Sequence, residues 1–268
     1  MSNILEVKNL TKKFKDFTAV NSISFSIKKG EIFGLVGPNG AGKTTTIKIL
    51  STLLPPTSGE ASIGGFNVSK DAPKVRRLIG YVPQLLSADG SLTGYENLLV
   101  FAKLYDIPAS EREKRIKDSL HFMGLSDSAD KMVRQYSGGM IRRLEIAQAV
   151  LHHPLILFLD EPTVGLDPLA REGVWDYVKQ LSDSGTTILL TTHYMEEADA
   201  MCNNVAILNR GNIAAIGSPA ELKKTIGNES ASLNEVYEFF VGNSIDSEKI
   251  GGNFKDVSRT RRTAHRLG

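Results

Sequence analysis

The residues best suited to chemistry in this sequence form a glycine-rich stretch that starts at residue 37. Its first eight residues match the pattern G-x-x-x-x-G-K-[ST], which ends here in Gly42, Lys43 and Thr44. Glycines let consecutive backbone N–H groups converge on phosphate oxygens, and the lysine adds a positive charge near the β- and γ-phosphates. We therefore expect a nucleotide-phosphate site formed by Gly37, Pro38, Asn39, Gly40, Ala41, Gly42, Lys43, Thr44 and Thr45.

An acidic pair further along the chain has the chemistry to hold a metal ion and to activate water. Asp160 ends an apolar run, Glu161 follows it, and Pro162 stops the strand. In a loop such a pair would simply be solvated, but at the carboxyl edge of a parallel strand it faces the same crevice as the phosphate loop. We expect Asp160 and the Thr44 hydroxyl to bind Mg²⁺, and Glu161 to act as the general base.

A histidine at the same edge completes the candidate site. His193 closes an apolar run that begins at Thr187. A lone histidine is more often a packing or surface residue, and we give that role to His152 and His153. The position of His193 favours instead a hydrogen bond to the γ-phosphate, or to the water near Glu161.

The order of the apolar runs predicts an α/β fold with a mostly parallel sheet. Continuous apolar runs at 32–36, 155–159 and 187–190 are typical of strands that are covered on both faces. Helical spacing follows at 44–50, and again at 169–181. Strand, glycine-rich loop and helix in this order are typical of a P-loop NTPase core, of the RecA-like kind.

Three further segments surround this core. Alternating apolar and polar residues at 4–10 and 20–27 predict an N-terminal antiparallel β lobe. Helical patterns at 96–105, 110–123 and 127–135 predict an all-helical insertion. The expected division is an ATP-binding core at 1–85 and 138–218, the helical insertion at 86–137, and C-terminal helices with a basic tail at 219–268.

Composition excludes several function classes. The 268 residues carry a formal net charge of +2 without a basic stripe, so no nucleic-acid partner is expected. The single cysteine, Cys202, is expected to be a buried small hydrophobe in a reducing compartment. We see no secretory signal, and the apolar runs fall far short of the roughly 20 residues of a membrane-spanning helix. Any membrane role is therefore expected to depend on a partner.

The run Tyr-Ser-Gly-Gly-Met at residues 136–140 narrows the choice among P-loop proteins. Together with the phosphate loop and the acidic pair, it makes residues 4 to about 217 resemble the nucleotide-binding subunits of ABC transporters. The resemblance implies ATP and Mg²⁺ as ligands. It assigns Gln84 to the Q-loop, with catalytic and metal contacts, and makes His193 the switch histidine.

The resemblance also implies two less distinctive positions. Asp167 falls in the family's D-loop, and Phe14 stands where the family stacks an aromatic ring on adenine. Phe17 is close by, and either ring could instead belong to the core.

The glycines of the 136–140 run have a physical role in that family. Ser137, Gly138 and Gly139 precede a helix expected to start at Met140, whose unpaired N–H groups and dipole form a second anion site. In the family two cassettes pair head to tail. The resemblance thus implies a homodimer in which each ATP lies between the phosphate loop of one chain and the 136–140 run of its partner.

The 136–140 run departs from the commonest family signature, L-S-G-G-Q, at both ends. Tyr136 stands first and Met140 last, and a thioether cannot replace the hydrogen bonds of an amide. With Arg142 and Arg143 following, the run resembles that of the daunorubicin- and multidrug-resistance exporters of the ABC-2 type. This resemblance implies export of a drug or other hydrophobic substrate through a separate integral membrane permease, at the cytoplasmic face of the cell membrane.

Other functions remain open at this point. Within transport, the alternatives are lipid, polysaccharide or ion export and, less favoured, import. A soluble ABC ATPase that acts on nucleic acid or ribosomes would carry long coiled coils or two cassettes, and this sequence has neither. A phosphate-loop kinase would leave Ser137 to Gly139 unexplained.

The end of the chain is basic. From Lys255 to Arg266 there are four arginines against one aspartate. This composition suggests contact with anionic lipid headgroups or with an acidic partner loop, or else a solvated terminus.

Overall fold

The fold is seen in a computed structural model that describes residues 3–250, with side chains described up to residue 242. The basic tail from Lys255 to Arg266 lies outside the described residues. The strands are β1 (Asn3–Phe14), β2 (Phe17–Lys28), β3 (Ile32–Val36), β4 (Ser58–Ile63), β5 (Phe66–Asn67), β6 (Ile79–Val82), β7 (Ile156–Asp160), β8 (Thr187–Thr192), β9 (Asn204–Asn209) and β10 (Asn212–Gly217). The helices are α1 (Lys43–Leu50), α2 (Ala72–Leu78), α3 (Gly94–Leu104), α4 (Ala109–Phe122), α5 (Gly138–Val150), α6 (Pro168–Asp183), α7 (Met195–Met201), α8 (Pro219–Thr225) and α9 (Leu233–Ile250).

Two sheets form the frame of the molecule. The six-stranded sheet has the order β10-β9-β3-β8-β7-β6, and every neighbouring pair is parallel except β10 with β9. The four-stranded sheet, β2-β1-β4-β5, is antiparallel. The predicted α/β fold, with its mostly parallel sheet and N-terminal antiparallel lobe, is confirmed.

The parallel sheet is covered on both faces, as its continuous apolar strands require. On one face it packs against the antiparallel sheet, where Phe25 of β2 stacks on Phe33 of β3 with ring centroids 5.4 Å apart. Helix α1 packs on this face too, through Ile47 and Leu50. The other face packs against helices that include α5, α6 and α7, and Trp175 of α6 is buried there. Cys202 is buried too, as expected, and burial raises the pKa of its thiol. No helix within residues 3–250 has the length and apolar character needed to cross a membrane.

The all-helical insertion is confirmed by α3 and α4, but its last part differs from the expectation of a helix at 127–135. Only short 3-10 turns form there, at Ser126–Ser128 and Val133–Gln135. The backbone N–H groups of Val133 and Arg134 donate to the carbonyl oxygens of Leu92 and Gly90. Because these N–H groups donate to a neighbouring loop, they cannot form the backbone hydrogen bonds of an α-helix.

Five strands were not predicted from the sequence: β4, β5, β6, β9 and β10. β6 has four residues, Ile-Gly-Tyr-Val, and is too short for periodicity to separate it from a loop. The hairpin of β9 and β10 turns at Arg210 and Gly211, which both adopt positive φ. β6 ends at Val82, two residues before Gln84, and therefore sets where the chain that carries Gln84 leaves the sheet.

Gly80 of β6 offers a test of how closely the sheet contacts the helix behind it. A Cβ added at Gly80 would overlap the carbonyl oxygen of Ala149 in α5, whereas a Cβ at Gly173 in α6 meets nothing within 4 Å. Gly80→Ala should lower the free energy of unfolding by about 1–3 kcal/mol. Gly173→Ala, its control, should raise it by roughly 0.5–1 kcal/mol because alanine is the better helix former. Urea denaturation measures both, and a Gly80→Ala protein as stable as wild type would contradict this packing.

Candidate nucleotide-binding site

The glycine-rich loop connects β3 to the N-terminus of α1, as the sequence predicts. Gly42 caps this helix with φ +105°, and a Cβ there would lie 2.5 Å from the carbonyl oxygen of Ala19. Glycine is therefore required for both its backbone conformation and the space around it. A cavity of about 330 Å³ opens over the loop and is lined by Phe17, Ala19, Asn39, Gly40, Ala41, Gly42, Lys43, Thr44, Thr45, Gln84 and Glu161.

Lys43 is buried in this loop, and its ammonium group contacts three oxygen atoms. Its Nζ donates to the carbonyl oxygens of Gly37, at 2.7 Å, and Pro38, at 3.1 Å. The same atom lies 3.2 Å from Oε1 of Glu161, in a buried ion pair. The loop thus holds a positive charge at the N-terminus of α1, where the helix dipole also favours an anion.

Asp160 lies at the end of β7, beside two hydroxyl groups. Oδ1 of Asp160 accepts hydrogen bonds from Thr191 Oγ1 at 2.7 Å and from Thr44 Oγ1 at 3.1 Å. Burial raises the pKa of Asp160, and both hydrogen bonds oppose that effect. Burial, with the nearby charge of Asp160, also raises the pKa of Tyr81 to about 12.

Glu161 is the residue at which the predicted catalytic groups meet. Its Oε2 lies 3.3 Å from Nε2 of Gln84 and 3.2 Å from Nδ1 of His193. The imidazole approaches close enough for an ion pair but is not aligned for a hydrogen bond. The backbone of Glu161 has φ +48°. Residues other than glycine rarely adopt this conformation, and those that do are concentrated at functional sites.

Thr191 is a site residue that sequence reasoning missed. Besides its bond to Asp160, its Oγ1 accepts from the backbone N–H of Glu161 at 2.9 Å, so one hydroxyl fixes both members of the acidic pair. The signal was present in the sequence, since two threonines end an otherwise apolar strand immediately before His193.

Ser137 and its two glycines are not among the residues that line this cavity. Ser137 is exposed and caps α5, its hydroxyl accepting from the N–H of Met140 at 3.3 Å, so the helix begins at Gly138 and not at Met140. A Cβ at Gly139 would lie 2.8 Å from Cβ of Ala170 in α6. The glycine therefore also serves close helix packing.

Tyr136 has a structural role within the insertion. It is buried, and its hydroxyl donates to the carbonyl oxygen of Ser128 at 2.6 Å. A Cβ at Gly94, the first residue of α3, would overlap that hydroxyl. The tyrosine therefore anchors the loop before α5 to the start of α3.

The aromatic residue of the cavity differs from the expected one. Phe14 is outside the cavity, and Lys12 Nζ lies 5.2 Å from the centre of its ring. Phe17, its close neighbour in the sequence, lines the cavity and is 61 % exposed, so neither ring belongs to the core. Phe14 and Phe17 are paired residues on either side of the turn between β1 and β2, and periodicity cannot reveal which of the two rings lines the cavity.

A phosphate-binding loop beside a buried Asp-Glu pair, at the carboxyl edge of a parallel sheet, defines a P-loop NTPase. Within that class the chain belongs to the ABC transporter family, whose model matches residues 20–164. It is the ATP-binding subunit of an ABC transporter, and it is an ATPase.

Curated relatives and solved structures agree with this assignment. The linearmycin resistance ATP-binding protein LnrL of Bacillus subtilis is 41% identical over 87% of this chain and 77% of its own length. The daunorubicin/doxorubicin resistance ATP-binding protein DrrA of Streptomyces peucetius is 42% identical over 85% of this chain and 69% of its own length. A Nod factor export ATP-binding protein of Cupriavidus metallidurans is 41% identical over 83% of this chain and 73% of its own length. A solved ATP-binding subunit of an ABC transporter matches with TM-score 0.80 and 32% identity, over 89% of this chain and 99% of its own.

The position of Phe17 predicts which aromatic ring contacts the adenine. Phe17→Ala should weaken ATP binding about tenfold, since base–aromatic stacking is worth about 1–3 kcal/mol. Phe14→Ala, on the other side of the turn, should leave the dissociation constant within about twofold. Titration with a fluorescent ATP analogue measures both. A larger loss in Phe14→Ala than in Phe17→Ala would return the adenine contact to Phe14.

Proposed function

We propose that two copies of this chain pair head to tail and hydrolyse ATP at the two shared sites. The observation that carries the proposal is the division of the anion-binding groups over the surface of one chain. Lys43 lies in the cavity, whereas Ser137 is exposed at a helix N-terminus outside it. A second copy would supply its Ser137, Gly138 and Gly139 to the nucleotide held by the first.

Mg²⁺ fits the oxygen groups beside the cavity. The Thr44 hydroxyl and the Asp160 carboxylate lie 3.1 Å apart, and both are the hard oxygen ligands that Mg²⁺ prefers. Within the described residues no three acidic, histidine or cysteine side chains form a metal site by themselves. This agrees with Mg²⁺ chemistry, because the ion is usually held by one or two carboxylates together with substrate phosphates. When bound, it would neutralise charge that develops on the phosphates.

Glu161 would take the proton from the attacking water. One of its carboxylate oxygens contacts Lys43, and the other contacts Gln84 and His193. Lys43 is also the residue expected to bind phosphate, so nucleotide binding would compete with the Lys43–Glu161 ion pair. Gln84 and His193 would then hold the Glu161 carboxylate in place beside the water.

Glu161→Gln provides the test of the shared site. The substitution keeps the size of the side chain and the Asp160 contacts, but it removes the anionic proton acceptor, so hydrolysis should fall by roughly 10²–10⁴-fold. Unhydrolysed ATP should then hold two chains together, because a ligand bound across an interface shifts the monomer–dimer balance by mass action. Size-exclusion chromatography with ATP and Mg²⁺ should show a dimer.

The double variant Glu161→Gln, Ser137→Arg is the control for this dimer. Its arginine would fill the exposed helix terminus that is expected to face the partner's phosphates, so the dimer peak should disappear while ATP binding persists. A Glu161→Gln protein that binds ATP and stays monomeric at every concentration would contradict the proposed pairing. Wild-type hydrolysis by Glu161→Gln would contradict the role of Glu161.

ATP-binding subunits of ABC transporters work with a membrane permease, and we propose that the helical insertion contacts it. Leu85 and Leu86, which follow Gln84, are 82 % and 51 % exposed, and Leu104 at the end of α3 is 70 % exposed. Leu85 and Leu86 are adjacent and both exposed, and a continuous exposed apolar surface is typical of a contact with a protein partner. The permease would place the chain at the cytoplasmic face of the cell membrane.

Export is the transport direction we propose. The relatives are named for resistance to linearmycin and to daunorubicin and doxorubicin, and for Nod factor export. The cargo proposed for this chain is a drug or another hydrophobic compound.

Gln84 should couple hydrolysis to transport. Its side chain contacts Glu161, and its backbone leads into the exposed Leu85 and Leu86. Gln84→Ala should leave the dissociation constant of ATP nearly unchanged, because the phosphate loop is intact, but it should slow hydrolysis and weaken transport. Reconstituted vesicles with the permease measure both rates. Transport at the wild-type rate would exclude this role.

A further inference from the structure

A buried ion pair on α5 contacts the segment that carries Gln84. Arg142 and Glu145 lie one helical turn apart, 2.9 Å between Nη1 and Oε2, and each side chain is 2 % exposed. Arg142 is the largest fully buried side chain in the described part of the chain. Burying two charges costs free energy unless further hydrogen bonds compensate, so the partners of this pair indicate its role.

Those partners are the two ends of the segment 83–88. Arg142 donates to the carbonyl oxygens of Pro83, at 2.7 Å, and Gln84, at 2.8 Å. At the other end, Oε1 of Glu145 accepts from the backbone N–H of Ser87 and, at 3.3 Å, from that of Ala88. The cation thus binds the carbonyls at the start of the segment, and the anion binds the amides at its end.

The middle of the segment has little else to hold it in the monomer. Leu85 and Leu86 are exposed and therefore bury little apolar surface there. In place of apolar packing, Arg142 and Glu145 hold the segment by directional, charge-assisted hydrogen bonds, which are about twice as strong as neutral ones. The pair also lies on the helix that Ser137 caps, with Arg142 less than two turns and Glu145 a little more than two turns from the serine. The backbone of Gln84 and the anion-binding end of α5 are therefore parts of one hydrogen-bonded unit.

We propose that Arg142 and Glu145 are positioning residues that fix Gln84 relative to the N-terminus of α5. This inference rests on the proposed roles of Gln84 and Ser137. A displacement of Gln84, on one side of the site, is transmitted through the pair to the signature serine presented to the partner chain. Neither side chain of the pair lines the ATP cavity, so both act through the backbone of 83–88.

Arg142→Lys tests the proposal with the charge retained. A lysine can still pair with Glu145, but its single ammonium lacks the planar fork that reaches two carbonyl oxygens at once. We expect kcat to fall roughly tenfold, with KM and the ATP dissociation constant within about twofold, because the geometry of the reacting groups is disturbed and the phosphate loop is not. Arg143→Lys is the matched control, since Arg143 donates to Met123 and not to 83–88. It should keep the wild-type kcat.

A double-mutant cycle with Gln84→Ala separates positioning from general weakening. If Arg142 acts through Gln84, the double variant should be about as slow as Gln84→Ala alone, whereas independent effects multiply. Glu145→Gln, which keeps size and an oxygen acceptor, is a second route should Arg142→Lys fail to fold, and it should show the same non-additivity.

The outcomes distinguish this proposal from the one on which it rests. Multiplicative losses, or an equal loss in Arg143→Lys, would overturn the positioning role of the pair. A wild-type kcat in Arg142→Lys, together with a lowered kcat in Gln84→Ala, would also overturn the positioning role of the pair. A wild-type kcat in Gln84→Ala itself would overturn the role of Gln84 and, with it, this inference.

Discussion

The constraint on which the rest of this structure depends is the burial of two carboxylates, Asp160 and Glu161, at the carboxyl edge of a parallel sheet. Buried anions need cations or hydrogen-bond donors, and the sheet register supplies them. Asp160 pairs directly with Thr191 across β7 and β8, and Val36, just before the phosphate loop, pairs with Thr192. This alignment of the strands places Lys43, Thr44 and His193 beside the acidic pair. A shift of any of these strands would leave a buried charge without its partner.

The same register accounts for the strained backbone of Glu161. Its N–H donates to the Thr191 hydroxyl, and its side chain contacts Lys43, Gln84 and His193. A positive φ in a residue other than glycine costs on the order of 1–3 kcal/mol and persists only where the surroundings enforce it. Here the surroundings are four groups from three different segments of the chain, because Thr191 and His193 both lie at the end of β8. The strain therefore holds the carboxylate where those groups converge.

A second feature of the molecule is that buried polar contacts join the segments around the site. Arg142 and Glu145 hold the 83–88 segment, and Thr163 and Thr192 donate to the buried carboxylate of Glu197 at 2.8 and 3.0 Å. Directional bonds fix geometry within narrow limits, and a hydrophobic contact tolerates sliding. Under the proposed head-to-tail pairing, an ATPase that responds to its partner's anion site benefits from the first kind of contact.

The sequence alone determined the fold class, the family and the place of the phosphate loop, because these depend on local patterns. A glycine loop between an apolar strand and a helix, an Asp-Glu pair after a second apolar strand and a Ser-Gly-Gly run are each readable within a few residues. Tertiary structure alone decided that β6 is a strand, that residues 127–135 form turns, that Phe17 lines the cavity, and that Arg142 and Glu145 contact the segment of Gln84. Each of these depends on which backbone groups and side chains a distant segment brings nearby. The spacing of residues along one chain carries no record of those partners, so only the folded arrangement reveals them.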